Sequence, residues 1–421
     1  MIKKIVENVK FLMLKKEVQS FINYYIFTII NAGISIFSIS YLTKHIVPED
    51  YGMIGIYTSI LFFLPSLISF SANGLIAIEI VDLEVDKYLE FRNGYISFLL
   101  VSFIGSSLIS ILFCLYFSEF GFVIIMATIM GFIQTLSSIH NTELFQFSQS
   151  TRFGLISTGT VLLGFLLTVV FISFFNLNWQ YRISALLIAE FVFLIIRFYF
   201  LSSIGSSFKF IFDKSKFKYI IYYGAPLMLS VLAGWVLNQS DRYFLLHFFS
   251  LKEVGLYAAA AGIASFVVMI NSNMIKVIYP LVYKKLSKRE GKKFILKVTA
   301  SYSIVILLIS VVFCAGLYFF GHLFLGEKYQ SAMPIIYIMC LGQAFFGIYS
   351  TTGLVIDYFK MTKLKTILVL LSAILLVLLS FLLIPLFGIY GPAVASLLSF
   401  LFLSILSFFI SLGLFKKHNI T

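Results

Sequence analysis

The chain has 421 residues, of which 60% are hydrophobic and only 12% are charged, and its formal net charge is +13. A soluble protein of this length needs a far larger charged surface, so the composition excludes an ordinary soluble globular protein. The apolar runs are about 20–25 residues long, the length that an α-helix needs to cross a bilayer. They are continuous rather than alternating, which disfavours a transmembrane β-barrel. The sequence therefore predicts an all-α polytopic membrane protein.

Twelve apolar segments are predicted to span the membrane, and no connecting segment is long enough to form a soluble domain. Their approximate bounds are 21–42, 52–76, 94–117, 120–141, 154–175, 182–203, 218–248, 254–275, 298–320, 331–356, 365–386 and 390–413. The basic start of the chain leads into a full-length apolar segment without a small-x-small cleavage site. We therefore expect the first helix to be retained rather than removed as a signal peptide.

Lysine and arginine are distributed unevenly along the chain. The two termini and the loops after even-numbered segments hold 25 of the 31. Because loops rich in these residues stay on the cytoplasmic side, both termini are predicted to be cytoplasmic. The excess positive charge is then mainly a topology signal, and we expect no nucleic-acid partner.

A weak internal repeat divides the chain into two halves. Residues 41–52 align with 243–255 when one inserted residue is allowed, and 129–142 align with 338–351 without gaps. Six segments per half is an even number, so both halves cross the membrane in the same direction as parallel repeats. We predict two pseudo-symmetric six-helix bundles around a central cavity. The predicted domains are an N-terminal bundle, a cytoplasmic linker and a C-terminal bundle, at 1–204, 205–217 and 218–421.

Several short motifs resemble a known family. Asn-Gln-Ser-Asp-Arg-Tyr at 238–243, followed by Glu-Val-Gly-Leu-Tyr-Ala at 253–258, is similar to the Wzx-type polysaccharide flippases. So are Glu-Asp-Tyr-Gly at 49–52 and Leu-Gly-Glu-Lys-Tyr-Gln-Ser-Ala at 325–332. These flippases belong to the multidrug/oligosaccharidyl-lipid/polysaccharide exporter superfamily. The resemblance covers nearly the whole chain.

The resemblance implies a transporter of the bacterial cytoplasmic (inner) membrane that works by alternating access. Its substrate would be an oligosaccharide repeat unit on polyprenyl pyrophosphate, moved from the cytoplasmic to the outer leaflet for O-antigen or capsule assembly. The implied partners are this lipid-linked glycan, membrane lipids and the polysaccharide polymerase machinery. Two alternatives stay open: a cation-coupled multidrug exporter of the same superfamily, and a membrane polysaccharide polymerase or ligase.

An anionic pyrophosphate requires fixed positive charge, and arginine can bind phosphate through two parallel hydrogen bonds. Arg242 is the first candidate, with Asn238 one turn earlier on the same helix face. The other interpretation of Arg242 is a structural ion pair or an anchor at the outer interface. Asp241 would repel phosphate, so we interpret it as a local partner or a gate residue.

Two further pairs of charged residues lie in or beside the apolar segments. Glu190 and Arg197 are seven residues apart on one helix face, and they either neutralise each other or line the cavity. Glu190 is also a candidate for coupling to a proton or another cation. Arg152 and Lys276 lie at predicted cytoplasmic helix ends, where they either anchor the helix at the interface or capture a substrate headgroup.

Two uncharged residues complete the candidate site. Asn31 belongs to a polar stripe of the first segment, which either supports close helix packing or contacts sugar hydroxyls in the cavity. Pro226 removes a backbone hydrogen bond from the seventh segment, so it is a candidate hinge for a gate, although a simple kink is the default.

No catalytic residue, metal site or cofactor is predicted. The sequence contains no phosphate-binding P-loop, and its five histidines are scattered. The three cysteines, Cys114, Cys314 and Cys340, lie inside apolar segments without metal-type spacing. We therefore expect that the protein is not an enzyme.

Overall fold

The computed structural model describes residues 2–147, 149–175, 178–202, 209–288 and 292–418, and within these ranges it contains helices but no β-strand. The first seven helices are α1 Ile2–His45, α2 Pro48–Ile68, α3 Gly74–Asp82, α4 Val85–Tyr116, α5 Gly121–Gln146, α6 Ser150–Phe175 and α7 Trp179–Ser202. The next seven are α8 Lys214–Gln239, α9 Asp241–Phe248, α10 Leu251–Ser287, α11 Lys292–Phe324, α12 Met333–Tyr358, α13 Thr362–Phe387 and α14 Gly391–Lys417.

Eleven stretches of the described chain are long and apolar enough to cross a membrane. The last of them, Thr362–Lys417, consists of α13 and α14, which are separated by a turn where Gly388 has a φ of 59°. Glycine adopts this conformation readily because it lacks a Cβ atom. When α13 and α14 are counted separately, the helices match the twelve predicted crossings, and the all-α polytopic architecture is confirmed.

Two of the predicted segments are interrupted. Segment 52–76 is divided into α2 and α3 by a break in which Phe70 and Ser71 have φ angles of 51° and 56°. Such left-handed conformations are strained for residues that carry a side chain. Segment 218–248 is divided into α8 and α9 at Ser240. Both breaks occur inside runs that hydropathy alone predicts to be continuous.

The chain forms two compact units, and each unit is built from two separate stretches. The first unit comprises Met1–Ser35 with Ile60–Met228, and the second comprises Ile36–Ser59 with Leu229–Thr421. The end of α1 and the start of α2 therefore belong with the later helices, while the first half of α8 belongs with the earlier ones. The domain bounds predicted from the repeat differ from these bounds and stay a prediction. Residues 205–208 of the predicted linker lie outside the described residues.

The segment that leads into α8 is attached to the first unit. The Asp213 carboxylate accepts hydrogen bonds from the Ser215 hydroxyl at 2.6 Å and from the Ser215 and Lys216 backbone N–H groups at 2.9 and 3.3 Å. These bonds, led by the one from the Ser215 side chain, lower the pKa of Asp213 below its ordinary value. Lys216 Nζ also donates to Glu90 of α4 at 2.7 Å. The start of α8 is thus both capped and tied to α4.

An equivalent tyrosine–asparagine hydrogen bond occurs in each unit. In the first unit, the hydroxyl of Tyr95 in α4 donates to Asn73 Oδ1 at 2.8 Å. In the second unit, the hydroxyl of Tyr302 in α11 donates to Asn271 Oδ1 in α10. Both bonds join the second and third predicted segments of their half. The matching bonds support the internal duplication that the sequence predicts.

Candidate functional site

Asp241 and Arg242 begin α9, immediately after the break that ends α8. Their relative exposures are only 5% and 8%, so both charged residues are buried. The hydroxyl of Tyr257 in α10 donates a hydrogen bond to Asp241 Oδ2. The electrostatic neighbours of the Arg242 guanidinium are Asp241, Tyr257, Tyr243 and Tyr51. An acid and a base, surrounded by tyrosines, thus lie in the interior of the second unit.

The Arg242 guanidinium is only partly satisfied there. Within the described part of the chain, its Nε and Nη1 atoms are buried without a hydrogen-bond partner. Gly55 of α2 lies beside the arginine side chain, since a Cβ atom added at Gly55 would be 3.8 Å from Arg242 Cδ. A buried donor without a partner costs about 1–3 kcal/mol, and more when it is charged. This position thus favours a state in which the guanidinium gains a partner.

Two glycines allow α2 to approach α10 closely, and they are the repeat-equivalent Gly52 and Gly255. A Cβ atom added at Gly52 would overlap the backbone carbonyl of Leu251. One added at Gly255 would overlap the backbone carbonyl of Pro48. In both cases the obstacle is backbone, which cannot rotate away as a flexible side chain can. The two stretches that the repeat aligns therefore contact each other directly within the second unit.

Residues 325–332 hold the connection between α1 and α2. The Gly326 backbone N–H donates to Thr43 Oγ1 at 3.2 Å, and the Tyr329 hydroxyl donates to the Ile46 carbonyl at 3.3 Å. The three groups of motifs quoted from the sequence thus meet in one part of the second unit. We refer to Ile36–Ser59, which comprises the end of α1 and the start of α2, as the α1–α2 hairpin.

Asn238 and Pro226 both lie in α8. The Asn238 side-chain amide donates to the Gly234 carbonyl at 2.8 Å, one turn back on its own helix. Pro226 is exposed in the helix interior, two residues before Met228, where the first compact unit ends. A proline in a helix interior removes one backbone hydrogen bond and weakens the helix there. Its position agrees with the hinge interpretation, which stays a prediction.

Glu190 and Arg197 of α7 form an ion pair inside the first unit. Arg197 Nη1 lies 2.8 Å from Glu190 Oε1. The hydroxyl of Ser137 in α5 donates to Glu190 Oε1 at 2.7 Å and accepts from Arg197 Nη1 at 2.8 Å. Both charged groups are buried at this contact. The geometry favours a neutralising pair over a freely accessible coupling carboxylate.

A second buried cluster in the first unit is absent from the sequence predictions. Glu143 Oε1 accepts hydrogen bonds from the Tyr88 hydroxyl at 2.6 Å and from Arg92 Nη1 at 3.3 Å. His140 Nδ1 lies 3.5 Å from Glu143 Oε2. Arg92 and Glu143 lie two residues outside the predicted apolar segments. The sequence pattern therefore assigns both of them to loops. The available signal was the spacing of His140 and Glu143, three residues apart on one helix face.

The remaining predicted residues lie nearer the surfaces of their units. Asn31 Nδ2 donates to the hydroxyl of Ser157 in α6 at 3.0 Å, so Asn31 links α1 to α6 and agrees with the helix-packing interpretation. The Arg152 guanidinium lies 5.6 Å from the ring centre of Phe200. Lys276 is an exposed residue of α10. For Arg152 and Lys276 both interpretations stay open.

The predicted site residues are divided between the two units. Those in the first unit are Asn31, Arg152, Glu190, Arg197 and Pro226, and those in the second are Asn238, Asp241, Arg242 and Lys276. Across the described ranges, no group of three or more His, Cys, Asp or Glu side chains is arranged to hold a metal ion.

Comparison with known proteins gives a family match that covers most of the chain. The family described as "Polysaccharide biosynthesis protein" matches residues 18–286. An uncharacterized membrane protein of Haemophilus influenzae is 26% identical over 328 residues, which cover 73% of this chain and 78% of that protein.

Solved structures of transporters share the fold. A structure of the lipid II flippase MurJ in an inward closed conformation has a TM-score of 0.73 at 14% identity, covering 94% of this chain and 90% of that one. An inward-facing multidrug resistance MATE family transporter of the MOP superfamily has a TM-score of 0.69 at 14% identity, covering 93% and 96%. At such low identity, these similarities establish the fold alone.

Proposed function

Because the chain belongs to the polysaccharide biosynthesis protein family, we propose that it is a flippase for a lipid-linked oligosaccharide. It moves a repeat unit carried on polyprenyl pyrophosphate from the cytoplasmic to the outer leaflet of the bacterial inner membrane, for surface polysaccharide assembly. The match over residues 18–286 carries this proposal. The fold shared with a lipid II flippase is consistent with it. Membrane lipids and polysaccharide polymerase machinery are its proposed partners.

Arg242 is the residue that we propose for the pyrophosphate. Among the described residues, its Nε and Nη1 atoms have no partner, although both are buried. Adjacent N–H donors of a guanidinium match the oxygens of a phosphate group, and arginine keeps its charge when it is buried. Asp241 Oδ2 accepts a hydrogen bond from Tyr257, while its Oδ1 atom has no partner among the described residues.

The α1–α2 hairpin is the proposed gate over this residue. It packs against α10 through Gly52 and Gly255, and its Gly55 lies beside the Arg242 side chain. Because Arg242 is buried and Gly55 lies beside its side chain, separation of this contact would expose the guanidinium to a headgroup. We therefore propose that the hairpin opens and closes during alternating access, with Pro226 as a hinge in α8.

The acidic residues of the apolar segments disfavour the cation-coupled exporter. Such an exporter requires a carboxylate that a cation can reach. Glu190 is bound to Arg197 and Ser137, and Asp241 accepts a hydrogen bond from Tyr257. Glu190 thus already has partners in the protein, whereas Asp241 keeps an Oδ1 atom without a hydrogen-bond partner among the described residues and has Arg242 as its neighbouring charge.

Deletion of the encoding gene tests the proposal. We expect the deletion strain to lose a surface polysaccharide and to accumulate lipid-linked repeat units that face the cytoplasm. Accessibility of these units to an added glycosidase, in intact and in opened membrane vesicles, distinguishes a transport defect from a synthesis defect. If the polysaccharide persists and drug sensitivity changes instead, the exporter interpretation replaces this one. Loss of polymer with repeat units already in the outer leaflet would instead indicate a polymerase.

A further inference from the structure

Helices α11 and α12 are consecutive membrane crossings of the second unit, and they pack against each other in a register that contains two cysteines. Gly321 of α11 faces Met333 of α12, since a Cβ atom added at Gly321 would overlap the Met333 side chain. Seven residues are about two helical turns, so positions seven apart lie on one helix face. Seven residues back along α11 is Cys314, and seven residues forward along α12 is Cys340. The packing of the two helices therefore predicts that these cysteines face each other.

The side chains confirm this contact. The Cys314 and Cys340 thiols form a hydrogen bond with each other. Cys314 is also an electrostatic neighbour of Tyr337, which lies one turn before Cys340 on α12. Cys340 is fully buried, whereas Cys314 is half-buried. Two thiols from different helices thus touch, and one of them is partly accessible from outside the unit.

The third cysteine has a different kind of partner. Cys114 lies in α4 of the first unit, and its thiol donates a hydrogen bond to the Gly121 carbonyl at 3.5 Å. The chain has three cysteines in total. Cys114 is therefore an internal control, a single thiol beside a backbone carbonyl.

The position of the pair in the membrane favours oxidation. Cys314 lies in the last third of predicted segment 298–320, and Cys340 lies in the first half of predicted segment 331–356. The predicted orientation places the connection between these segments outside the cytoplasm, so both cysteines lie on that side of the bilayer. Thiols there are not held reduced by the cytoplasmic reductants. We propose that Cys314 and Cys340 are a redox-active pair, which a hydroperoxide converts to a disulfide that joins α11 to α12.

The conversion consumes one molecule of hydroperoxide in two steps. The Cys314 thiolate, on the more exposed side chain, attacks a peroxide oxygen, so that an S–O bond forms, the O–O bond breaks, and the leaving alkoxide takes the thiol proton. The Cys340 thiol then attacks the resulting sulfenic sulfur, so that the S–S bond forms, the S–O bond breaks, and water leaves with the second proton. The two thiols lose two electrons and two protons, and the hydroperoxide becomes one alcohol and one water molecule.

The disulfide would close a loop that contains residues 325–332. Gly326 and Tyr329 in this loop hold the α1–α2 hairpin through Thr43 and the Ile46 carbonyl. A disulfide restricts the unfolded chain between its two cysteines. Oxidation should therefore stabilise the connection on which the hairpin rests.

Counting free thiols tests the pair in the whole protein. The purified protein in detergent is treated with hydrogen peroxide or kept reduced, unfolded in SDS, and labelled with a maleimide that carries a polyethylene glycol chain. The reduced protein should show all three thiols. The oxidised protein should show one thiol, should remain a monomer on a non-reducing gel, and should recover all three thiols in dithiothreitol.

Three labelled thiols after peroxide treatment would overturn the proposal. So would a loss that dithiothreitol does not reverse, because that loss indicates oxidation beyond the disulfide. Loss of two thiols with copper phenanthroline but not with peroxide would mean that the cysteines touch without reacting with a hydroperoxide, and it would also contradict the proposal.

Single variants identify the two partners. Cys114→Ala should still lose two thiols to peroxide and show none. Cys340→Ala should stop the reaction at the sulfenic acid, which dimedone traps on Cys314 and mass spectrometry detects. Cys314→Ala should keep both of its thiols. A reversible loss of two thiols in Cys314→Ala or Cys340→Ala would show that a different pair reacts.

Thermal unfolding gives an independent measurement. Oxidation of the wild type should raise the melting temperature by about 3 °C, because the disulfide restricts the unfolded state. Dithiothreitol should reverse this increment, which separates it from methionine oxidation, a change that dithiothreitol leaves in place. An equal reversible increment in Cys314→Ala would contradict the assignment to this pair.

Discussion

Buried charges are neutralised differently in the two units. In the first, Glu143 and Glu190 each accept a hydrogen bond from an arginine. In the second, Asp241 accepts from Tyr257, and Arg242 retains two nitrogen atoms that have no partner among the described residues. Arg92 and Arg197 of the first unit also keep an Nε atom without a partner among the described residues, but each gives an Nη1 atom to a glutamate, whereas both Nε and Nη1 of Arg242 are without one.

Replacement of Arg242 by lysine or methionine should lower transport of the lipid-linked unit by roughly tenfold or more, since a charge-assisted hydrogen bond contributes about 1.5–3 kcal/mol. Lysine keeps the charge but loses the planar fork, so it should not restore activity. The measurement is the amount of surface polysaccharide in a complemented deletion strain, normalised to the amount of protein in the membrane. Lys252→Ala, at an exposed residue near the start of α10, is the matched control and should retain transport. Full activity of the lysine variant would show that Arg242 supplies only charge.

The pair Glu190–Arg197 should behave as a unit in stability measurements. Glu190→Gln or Arg197→Gln alone leaves a buried charge without its partner, which costs about 3–5 kcal/mol. The double variant removes both charges, so its loss of stability should be smaller than that of either single variant. Thermal unfolding of the three purified variants checks this order. A double variant as unstable as the sum of the singles would mean that the two side chains do not interact.

Residue contacts could be predicted from the sequence only where they are local in the chain. The spacing of Glu190 and Arg197 on one helix face predicts their pairing as one of two interpretations, and the structure shows the ion pair. The neighbours of Arg242 include Tyr51 and Gly55, which lie on a helix far away in the chain, and only the folded structure brings them there. Arg92 and Glu143 were assigned to loops because an apolar segment identified by hydropathy ends where charged residues begin. In the structure both side chains are buried.

Among the helices, the packing of α2 on α10 depends on residues without side chains. Gly52 and Gly255 bring backbone against backbone, so the surface of one helix fits the other without intervening atoms. Small residues at helix contacts are a common way to gain van der Waals packing inside a membrane. This contact is the one that we propose to open and close.

Gly255→Ala should destabilise the contact between α2 and α10 by about 1–3 kcal/mol, because the new Cβ atom meets the Pro48 backbone carbonyl and forces the helices apart. We expect a lower melting temperature and reduced transport. Gly316→Ala in α11 is the control, since no atom lies within 4 Å of the position of its added Cβ. That change should be neutral or stabilising by up to about 1 kcal/mol, as alanine favours helix more than glycine does. Equal effects of the two changes would exclude a specific role for the crossing.

Pro226→Ala separates helix stability from hinge function in α8. Alanine restores a backbone hydrogen bond in the helix interior, so the melting temperature should stay the same or rise. If α8 bends at this point during transport, the stiffer helix should nevertheless lower the transport rate. Unchanged transport together with raised stability would identify Pro226 as a simple kink.

Hydropathy predicts where helices cross the membrane better than where they break. All twelve crossings were predicted, because each requires a long apolar run. The breaks at Phe70, Ser71 and Ser240 were not, since none of these residues is a glycine or proline that would have indicated a turn. The strained backbone at Phe70 and Ser71 is held by tertiary packing, which no local pattern of residues encodes.

For the whole molecule, the distribution of lysine and arginine predicts that both termini are cytoplasmic. Reporter fusions check this orientation. Alkaline phosphatase, which is active only outside the cytoplasm, should be inactive when fused after 288 or 418 and active when fused after 250. A fluorescent protein that matures only in the cytoplasm should give the opposite pattern at the same three positions. Agreement of both reporters on a reversed pattern would overturn the orientation.

The boundaries of the two compact units also differ from the boundaries of the sequence repeat. The duplication in the sequence suggests two halves that are continuous in the chain. The structure instead places Ile36–Ser59 with the later helices and the first part of α8 with the earlier ones. A repeat alignment shows which residues are equivalent, but it carries no information on which equivalent residues pack together.

The membership of the α1–α2 hairpin in the second unit has a consequence for biosynthesis. The ribosome delivers this hairpin to the membrane early, long before α9 and α10 have been translated. Before α10 is translated, Gly52 has no helix to pack against. Before residue 326 is translated, Thr43 Oγ1 lacks the hydrogen bond that the Gly326 N–H donates to it. The nascent first half is therefore an unfinished structure, and the hairpin gains these contacts only after α10 and residues 325–332 have been translated.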